Sequence, residues 1–350
     1  MLAGISMPGG VSLSFSHEPC FREAIEVEGR DARAIVAENE GELGGVALMA
    51  KKNCYLNGKE KAVGYLSSLR LAPDFRSSLV LARGYQVLHK LHREQLSRPP
   101  FYLTTIMADN EKAKEILTSG RAGLPNYHFL SGYQTLLIPL VHHRFSLPEG
   151  VLIVKGEVVK AEQIVEALNR LGQGRQFFPV YQKEDIEKDS GLLRGLDEKD
   201  FYLAIEKDRI VGVLACWDQL AFRQNVVKEY SLRMKLVKKL FDALAVFTRM
   251  EPLPRIGEAF KSLSAACVAV EDDRKDVFRA LLRYSINDRV GKGKTFLYVG
   301  FSERDPLLVV AAECLHATLR SLIYAVEWGE GKKELDALDS RVPYLELGSL

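Results

Sequence analysis

Residues 63–127 hold the side chains that binding of a phosphate-bearing thioester would need. A strand-like segment ends at Pro73, the polar residues Arg76, Ser77 and Ser78 follow, and an amphipathic helical segment comes next. The first N–H groups of a helix have no intrahelical partner, and the helix dipole adds partial positive charge there. Phosphate groups bind well at such a point. The order strand, polar loop, helix therefore predicts a site for a phosphate-bearing cofactor, with its thioester arm between two strands.

A second strand-like segment, Phe101–Met107, ends just before Asp109 and Asn110, and a short helix is predicted at Glu111–Thr118. Asp109 is a candidate base, because a carboxylate at a strand end can take a proton from an amine, directly or through water. The structural alternative is that Asp109 caps the N-terminus of the helix, and the pattern favours this second interpretation.

The elements that would position these residues follow a β-β-β-α-β-α-β order in the first half. Asn57-Gly58 predicts a hairpin between the second and third strands, because both residues tolerate positive φ. Apolar residues at helical spacing come after the polar loop. The strand-like segments are Ala32–Glu38, Gly45–Ala50, Val63–Leu71, Phe101–Met107 and Phe129–Leu140.

A similar order returns after residues 141–150, so we place a domain boundary there, between residues 1–145 and 146–350. A helix predicted near 226–248 has no counterpart in the first half; it packs on the other domain or another subunit, or covers its own sheet. The recurrence predicts an α+β fold of two like domains with mixed sheets. The predicted strands are Val151–Val154, Phe201–Glu206, Ile210–Trp217, Cys267–Glu271, Thr295–Gly300, Leu322–Trp328 and Tyr344–Leu347, and helices are marked by Ile164–Leu171, Val277–Ile286 and Leu308–Leu319.

Composition narrows the class of protein. A chain of 350 residues suits two domains. Its 48 Lys and Arg against 46 Asp and Glu give a net charge of +2 without a basic cluster, which predicts no nucleic-acid and no membrane partner. Five cysteines without a C-x-x-C pair predict a reduced, cytoplasmic setting and no metal site. Residues 1–10 lack a signal-peptide pattern, and the apolar run Ile210–Trp217 is too short to span a bilayer.

The motifs resemble those of the GNAT (GCN5-related N-acetyltransferase) superfamily. Leu69-Arg70-Leu71-Ala72-Pro73 followed by Arg76 resembles its strand and pyrophosphate loop, and Asn110-Glu111-Lys112-Ala113 resembles its Asn-x-x-Ala helix start. The second half is similar to the C-terminal domain of bacterial tandem members, in Phe177-Phe178-Pro179, Ile210-Val211-Gly212-Val213, Trp217-Asp218-Gln219, Asp305-Pro306-Leu307 and Pro343-Tyr344-Leu345-Glu346.

The resemblance implies two tandem GNAT-like domains and an acyl-CoA co-substrate. It implies acyl transfer, with acetyl the expected group, by direct attack of an amine on the thioester. A bulged strand would splay from its neighbour, and a backbone N–H around Leu71 or Ala72 would bind the oxyanion. Asn110 would lie beside the pantetheine amide or the thioester. The implied acyl-CoA contacts are Leu69, Leu71, Arg76, Ser77, Ser78, Leu79, Val80, Leu81, Asn110 and Ala113.

The sequence departs from the family pattern at several positions. Glycine is common in the family where Ser77 and Leu79 stand, and a tyrosine that protonates the leaving thiolate is common near Leu117. Tyr127 is the replacement candidate for that acid. The C-terminal carboxylate of Leu350 is a further candidate base, by analogy with some tandem relatives. In the second half the loop 271–276 is acidic and would repel a pyrophosphate, so we expect no CoA binding there.

Three functions are compatible with these residues. The first is an N-acyltransferase acting on a small-molecule or peptide amine. The second is a degenerate pair that binds CoA as a sensor without turnover, as Leu79 and Leu117 suggest. The third is a protein-interaction module that uses the helix near 226–248, and a homo-oligomer is compatible with it.

Overall fold

The structure is a computed structural model that describes residues 10–76, 78–95, 97–121, 123–248 and 250–350. The predicted cofactor contact Ser77 lies outside the described residues. The strands are β1 (Val11–Ser16), β2 (Arg30–Asn39), β3 (Glu42–Leu56), β4 (Lys59–Leu71), β5 (Tyr102–Met107), β6 (Asn126–Pro139), β7 (Val151–Lys155), β8 (Phe201–Glu206), β9 (Arg209–Trp217), β10 (Gln224–Tyr230), β11 (Ser262–Val270), β12 (Phe296–Ser302) and β13 (Ala317–Glu327). The helices are α1 (Phe21–Ile25), α2 (Ser78–Glu94), α3 (Glu111–Leu117), α4 (Ala161–Gly172), α5 (Lys183–Glu187), α6 (Leu232–Thr248), α7 (Lys275–Arg289), α8 (Leu308–Ala311) and α9 (Lys332–Asp336).

Most of the described strands form one mixed sheet in the order β2-β3-β4-β5-β13-β6-β12-β11-β9-β8-β7, and β1 pairs with β10 in a separate ribbon. Two pairs in the large sheet are parallel, β4 with β5 and β11 with β12. The predicted α+β class with a mixed sheet is confirmed. The hairpin at Asn57-Gly58 is also confirmed, with φ of 50° and 74° at the two residues.

The two halves repeat one order of elements and exchange their last strands. The series β2 to β6 with α2 and α3 corresponds to β8, β9, β11, β12 and β13 with α7 and α8, and β10 and α6 are inserted between β9 and β11. β13 lies beside β5, β6 lies beside β12, and β6 pairs with β13. The boundary predicted at 145–146 falls between β6 and β7, and the exchange joins both sides of it in one sheet. The two-domain division stays a prediction.

The apolar core follows this arrangement. A large buried cluster joins α4 and α7 to β8, β9 and β11 in the second half. In the first half α2 packs through Tyr85 and Leu88 on β5 and β13. The opposite side of the first half's strands carries another cluster, which includes Tyr65, Leu103 and Leu345. Residues 343–350 therefore pack against strands of the first half.

The helix predicted near 226–248 begins at Leu232, because the preceding residues form β10. β10 pairs with β1, from Val11 opposite Tyr230 to Ser16 opposite Gln224. The predicted helical conformation of residues 226–230 is therefore replaced by a strand that pairs with a segment far away in the sequence. One side of α6 packs through Phe241 on Phe296 of β12, with ring centroids 5.7 Å apart, so α6 covers its own half.

Two other predicted elements are wrong. The helix marked by Leu308–Leu319 ends at Ala311, because residues from Ala317 onward extend β13 along β6. The predicted strand Tyr344–Leu347 is irregular chain that ends in a 3-10 turn, and Pro343 just before it makes an isolated bridge with Gln176. In both places a tertiary contact decides the conformation of a short apolar segment.

Candidate functional site

An opening lies between β4 and β5. The two strands pair only at Gly64–Tyr102 and Tyr65–Leu103. Beyond these pairs β4 continues along β3 to Leu71, and β5 continues along β13. The parallel partners therefore separate towards their carboxyl ends, and the facing edges of both strands are left for another occupant.

A bulge in β4 turns the strand away from β5. Opposite β3, Leu48 pairs with Ser67 while Val46 pairs with Arg70, so β4 contains one extra residue. Ser68 has φ of 55°, a left-handed conformation that places it at the bulge. A bulge bends its strand and raises the local twist. The predicted splaying of this strand pair is thus present in the described geometry.

The loop after β4 is held against β3. Pro73–Phe75 form a 3-10 turn, and the Ala72 N–H donates to the Gly44 carbonyl at 2.8 Å. A Cβ at Gly44 would lie 2.1 Å from the Phe75 ring, so glycine allows the ring to pack on β3. The Arg76 Nε donates to the Leu71 carbonyl at 3.1 Å. These contacts direct the chain from the bulge into α2.

The N-terminus of α2 follows this loop directly. Ser78 is the first residue of the helix, so the N–H groups of Leu79, Val80 and Leu81 belong to its first turn. The Leu79 side chain is 67% exposed and therefore does not fill the opening between β4 and β5. The exposed Arg76 adds positive charge at the same end. Loop, helix N-terminus and opening are consecutive along the chain, as a phosphate-bearing thioester would require.

Asn110 caps α3, and the expected cap at Asp109 is wrong. The Asn110 Oδ1 accepts from the Ala113 N–H at 3.1 Å, while Asp109 is exposed. Ala113 and Leu117 pack in the apolar cluster beneath α2. The amide side chain of Asn110 thus sits at the carboxyl end of β5, where the strands have separated.

Tyr127 lies away from Asp109. On β6 it stands opposite Val326, which stands opposite Tyr102 at the start of β5. Asp109 follows the other end of β5, roughly 20 Å away at about 3.3 Å per residue. The Tyr127 hydroxyl pairs with the Tyr85 hydroxyl at 2.5 Å, and burial raises its pKa further above the usual value. The backbone register keeps the two catalytic candidates apart, although the Tyr127 side chain packs in the apolar cluster that includes Ile106, Ala113 and Leu117.

A buried polar cluster that the sequence did not reveal lies beside the bulge. The Ser67 hydroxyl donates to the carboxylate of Glu28, which is 1% exposed. Arg223 donates to the same carboxylate at 3.2 Å and to the Leu350 main-chain oxygen at 3.0 Å. Leu350, the other candidate base, thus lies near the opening. The four residues are far apart in the sequence, so no local pattern connects them.

The position of Glu28 depends on a glycine. Gly29 has φ of 155°, and a Cβ there would lie 2.6 Å from the Lys51 carbonyl oxygen. The chain can therefore pass close to β3 and leave Glu28 beneath the sheet.

In the second half, β11 has a bulge like that of β4, but the backbone N–H groups at this bulge already have hydrogen-bond partners. β11 and β12 pair from Ser262–Phe296 to Ser264–Tyr298, and Cys267, with φ of 53°, forms a bulge. Cys267 follows Ser264 by three residues (267 − 264), as Ser68 follows Tyr65 (68 − 65).

Residues of the terminal segment bind this second bulge. The Cys267 N–H donates to Glu346 at 2.8 Å, and the Val268 N–H donates to the Tyr344 hydroxyl at 3.2 Å. The hydroxyls of Tyr344 and Tyr181 also donate to Glu346, at 2.8 and 3.1 Å. Side chains of the terminal segment therefore already bind the backbone amides at the bulge of β11.

Acidic side chains of the loop after β11 are engaged in ion pairs. Glu271 pairs with Arg170 at 2.9 Å and Arg209 at 2.8 Å, and Asp273 pairs with Arg175. These ion pairs tie the loop to α4, to the chain just after α4 and to the start of β9. They fit a structural role of the loop better than a phosphate-binding role.

Other site types have less support. In the part of the chain that the structure describes, no group of three or more His, Cys, Asp and Glu is arranged to hold a metal ion. No helix among the described residues is long and apolar enough to cross a membrane. A cavity of about 410 Å³ borders Lys61, His92 and Arg98. It lies at the closed end of β4 and β5, away from the N-terminus of α2.

The sequence matches no protein-family model and no curated protein. Solved structures to which it is similar include three GCN5-related N-acetyltransferases. The one from Sphaerobacter thermophilus is 16% identical, over 92% of this chain and 84% of that chain, with a TM-score of 0.49. Those from Anabaena variabilis and Kribbella flavida are 12% and 10% identical, over 89% and 90% of this chain and 72% and 71% of theirs, with TM-scores of 0.46 and 0.45.

Proposed function

We propose that this protein is an acyl-CoA-dependent N-acyltransferase whose cofactor site lies in the first half. The observation that supports it is the opening between β4 and β5, which begins at the Ser68 bulge and leads to the N-terminus of α2. A pantetheine arm is a chain of amides and can pair with the strand edges there. Acetyl is the acyl group expected, and the acceptor is a small-molecule or peptide amine.

The CoA pyrophosphate would bind at the start of α2. Arg76 and the N–H groups of Leu79, Val80 and Leu81 supply positive charge and hydrogen-bond donors. Ser77 and Ser78 belong to the same proposed contact set. Leu79 replaces a glycine of the family pattern, and its side chain is largely exposed and so does not fill the opening.

The thioester would lie along Leu69 and Leu71 in the proposed complex. An amine freed of its proton attacks the carbonyl, and an N–H near Leu71 or Ala72 stabilises the oxyanion. Holding both reactants in the opening replaces a bimolecular collision with a positioned attack. Asn110 would orient the pantetheine amide, and Ala113 would face the arm from α3.

Departure of CoA does not require a side-chain acid. A thiol has a pKa near 8.5, so CoA can leave as a thiolate more easily than an alkoxide can. Leu117 stands where the family pattern has tyrosine, and the Tyr127 hydroxyl is paired with the Tyr85 hydroxyl. We therefore assign no acid to either position.

A CoA-binding protein without turnover is the second candidate. The apolar Leu117 and the hydrogen-bonded Tyr127 favour it, because the described residues place no free tyrosine hydroxyl at the opening. Binding is common to both candidates, and thiol release separates them.

Thermal unfolding with CoA tests the site. An excess of about 100 Kd stabilises the folded chain by about 2.7 kcal/mol if CoA binds only that state. Arg76→Glu should abolish the shift, because it places negative charge at the pyrophosphate. Lys90→Glu is the matched control, since it makes the same charge change on an exposed residue near the far end of α2.

A normal CoA shift in Arg76→Glu, or equal losses in both variants, would contradict the proposed site. Thiol release from acetyl-CoA with primary amines then distinguishes the enzyme from the binding-only protein. Arg76→Glu should raise the KM for acetyl-CoA at least tenfold.

A further inference from the structure

The carboxylate of Glu28 lies beneath the opening and reaches it through one side chain. Ser67 donates to Glu28 and is half-buried on β4, directly before the bulged Ser68. Tyr65, two residues earlier, belongs to the last parallel pair. Ser67 therefore stands where β4 and β5 have just separated, with Glu28 behind it.

Charged and titratable groups surround Glu28 from several elements. Arg223, before β10, donates to it at 3.2 Å. Lys52 of β3 and Tyr65 of β4 are also close enough to interact electrostatically. Burial raises the pKa of Glu28, and Arg223, the hydrogen bond from Ser67 and the charge of Lys52 act against that rise. A carboxylate with a raised pKa is a better proton acceptor than an exposed one.

Burial also lowers the pKa of Lys52, whose ammonium lies 5.7 Å from the centroid of the Tyr65 ring. The cluster thus holds the Glu28 carboxylate between two basic groups, Arg223 and Lys52, and Arg223 also donates to the main-chain oxygen of the terminal residue Leu350. Only Ser67 connects that carboxylate to the strand edge of the opening among the contacts described.

We infer that Glu28 accepts the proton of the attacking amine through the Ser67 hydroxyl, with Arg223 positioning the carboxylate. This inference rests on the proposed function. It gives the second half a part in the site of the first, because Arg223 belongs to the second half.

The proposed step balances as follows. The ammonium N–H bond of the acceptor breaks as the Ser67 oxygen takes that proton, and Ser67 passes its own hydroxyl proton to Glu28. The freed amine forms a bond to the thioester carbonyl, the carbon–sulfur bond breaks with CoA leaving as a thiolate, and the second proton lost by the nitrogen passes to that thiolate, which gives the amide and the CoA thiol. Protonated Glu28 then returns its proton through Ser67 to solvent.

The exposed Asp109 is the competing base, and the two differ in environment. Asp109 lies beyond the end of β5 on the surface, whereas Glu28 lies under the separated strands. A relay through Ser67 predicts that Ser67→Ala impairs turnover although Glu28 is intact. A base at Asp109 predicts no such effect.

The experiment uses the full chain with acetyl-CoA and the best primary amine from glycinamide, lysine and spermidine. Glu28→Gln and Ser67→Ala should each lower kcat by about 100-fold or more. The thermal shift with CoA should persist in both variants. Glu28→Asp should recover part of the rate. Glu26→Gln, a neighbouring carboxylate paired with Arg194, is the matched control and should keep full activity.

The pH profile supplies a readout that a structural role would not change. The acidic limb of kcat/KM in the wild type should lie above the ordinary glutamate pKa and should move up in Arg223→Lys, which weakens the charge beside Glu28. Ser67→Ala should flatten the limb. If Glu28→Gln does not fold, Ser67→Ala and Arg223→Lys still decide the matter.

Normal turnover and an unchanged acidic limb in folded Ser67→Ala would overturn the relay while leaving the acyltransferase proposal intact. A wild type that binds CoA but releases no thiol with any of the amines also overturns it, in favour of the binding-only protein. A wild type without a CoA shift refutes the proposed function itself.

Discussion

His17 is a titratable residue whose surroundings disfavour its charged form. His17 lies near the guanidinium groups of Arg223 and Arg70, which flank the same cluster as Glu28. Its Nδ1 is buried and has no hydrogen-bond partner among the residues that the structure describes. Burial, followed by the charges of Arg223 and Arg70, lowers the pKa of His17 from 6.5 to about 4. His17 is therefore neutral in the folded protein at pH 5.

This shift predicts acid sensitivity. Between pH 6.5 and 4 the unfolded chain binds a proton at His17 that the folded chain does not, so stability falls as the pH falls. The loss from pH 8 to pH 5 is at most about 2 kcal/mol at about 1.4 kcal/mol per pH unit, and screening at the partly exposed ring reduces it. Urea unfolding at both pH values measures it.

His17→Gln removes the titration and should make the loss of stability between pH 8 and 5 smaller than in the wild type. His142→Gln, at an exposed histidine, is the control and should keep the wild-type dependence. Equal pH dependence in wild type and His17→Gln would show that His17 does not contribute.

Two elements, β4 and β11, share a bulge at the same distance from a parallel pair, yet their surroundings differ. In the first half the bulge faces an opening and a helix N-terminus. In the second half Glu346 and Tyr344 bind the bulge amides. The same strand geometry therefore serves a proposed cofactor site in one half and internal packing in the other.

The contacts of Glu346 predict a large contribution to stability. Glu346→Ala leaves the Cys267 N–H and the hydroxyls of Tyr344 and Tyr181 without their shared acceptor. Removing one partner of a buried, charged hydrogen-bond network costs about 3–5 kcal/mol. Urea unfolding should show this loss, with Glu346→Gln less affected because it keeps an oxygen acceptor. A loss below 1 kcal/mol in Glu346→Ala would contradict the role given to this segment.

The loop after β11 should be irrelevant to the cofactor. The double variant Asp272→Asn, Asp276→Asn removes two negative charges and leaves the Asp273–Arg175 pair in place. We expect an unchanged thermal shift with CoA, because the proposed site lies in the first half. A changed CoA affinity in this variant, measured by calorimetry, would contradict the proposed site and indicate that CoA binds in the second half.

At the scale of the whole molecule, the exchanged strands make the halves interdependent. β13 of the second half pairs with the edge of β5, and β6 of the first half pairs with the edge of β12. Arg223 of the second half also holds Glu28 of the first. The second half thus completes the sheet of the first and contributes Arg223 to the proposed site, so both halves are needed for that site.

This exchange predicts the behaviour of the isolated halves. A fragment of residues 1–145 lacks β13, so its β5 edge is exposed and should pair with another copy or aggregate. Light scattering after size-exclusion chromatography should show dimers or larger species. Co-expression with residues 146–350 should restore a soluble heterodimer. A stable monomer of 1–145 that keeps the CoA shift would contradict the predicted dependence.

The sequence by itself determined the α+β class, the order of elements from β2 to β6 and the positions of the polar loop and of α2, while β1 and α1 were missed. These features depend on periodicity, turn residues and helix-start chemistry, which act over a few neighbouring residues. The proposed contacts around Arg76 and Asn110 come instead from the resemblance of short motifs to a family pattern.

Only the tertiary structure decided the partners of β6, β10 and β13, the end of α8 and the groups that bind the bulge of β11. Each depends on pairing or burial between residues from 76 (344 − 268) to 224 (326 − 102) positions apart, as in the contact of Val268 with Tyr344 and the pairing of β5 with β13. The cluster of Glu28, Ser67 and Arg223 is of the same kind. Burial brings its members together and raises the pKa of the carboxylate, and no spacing along the chain records that environment.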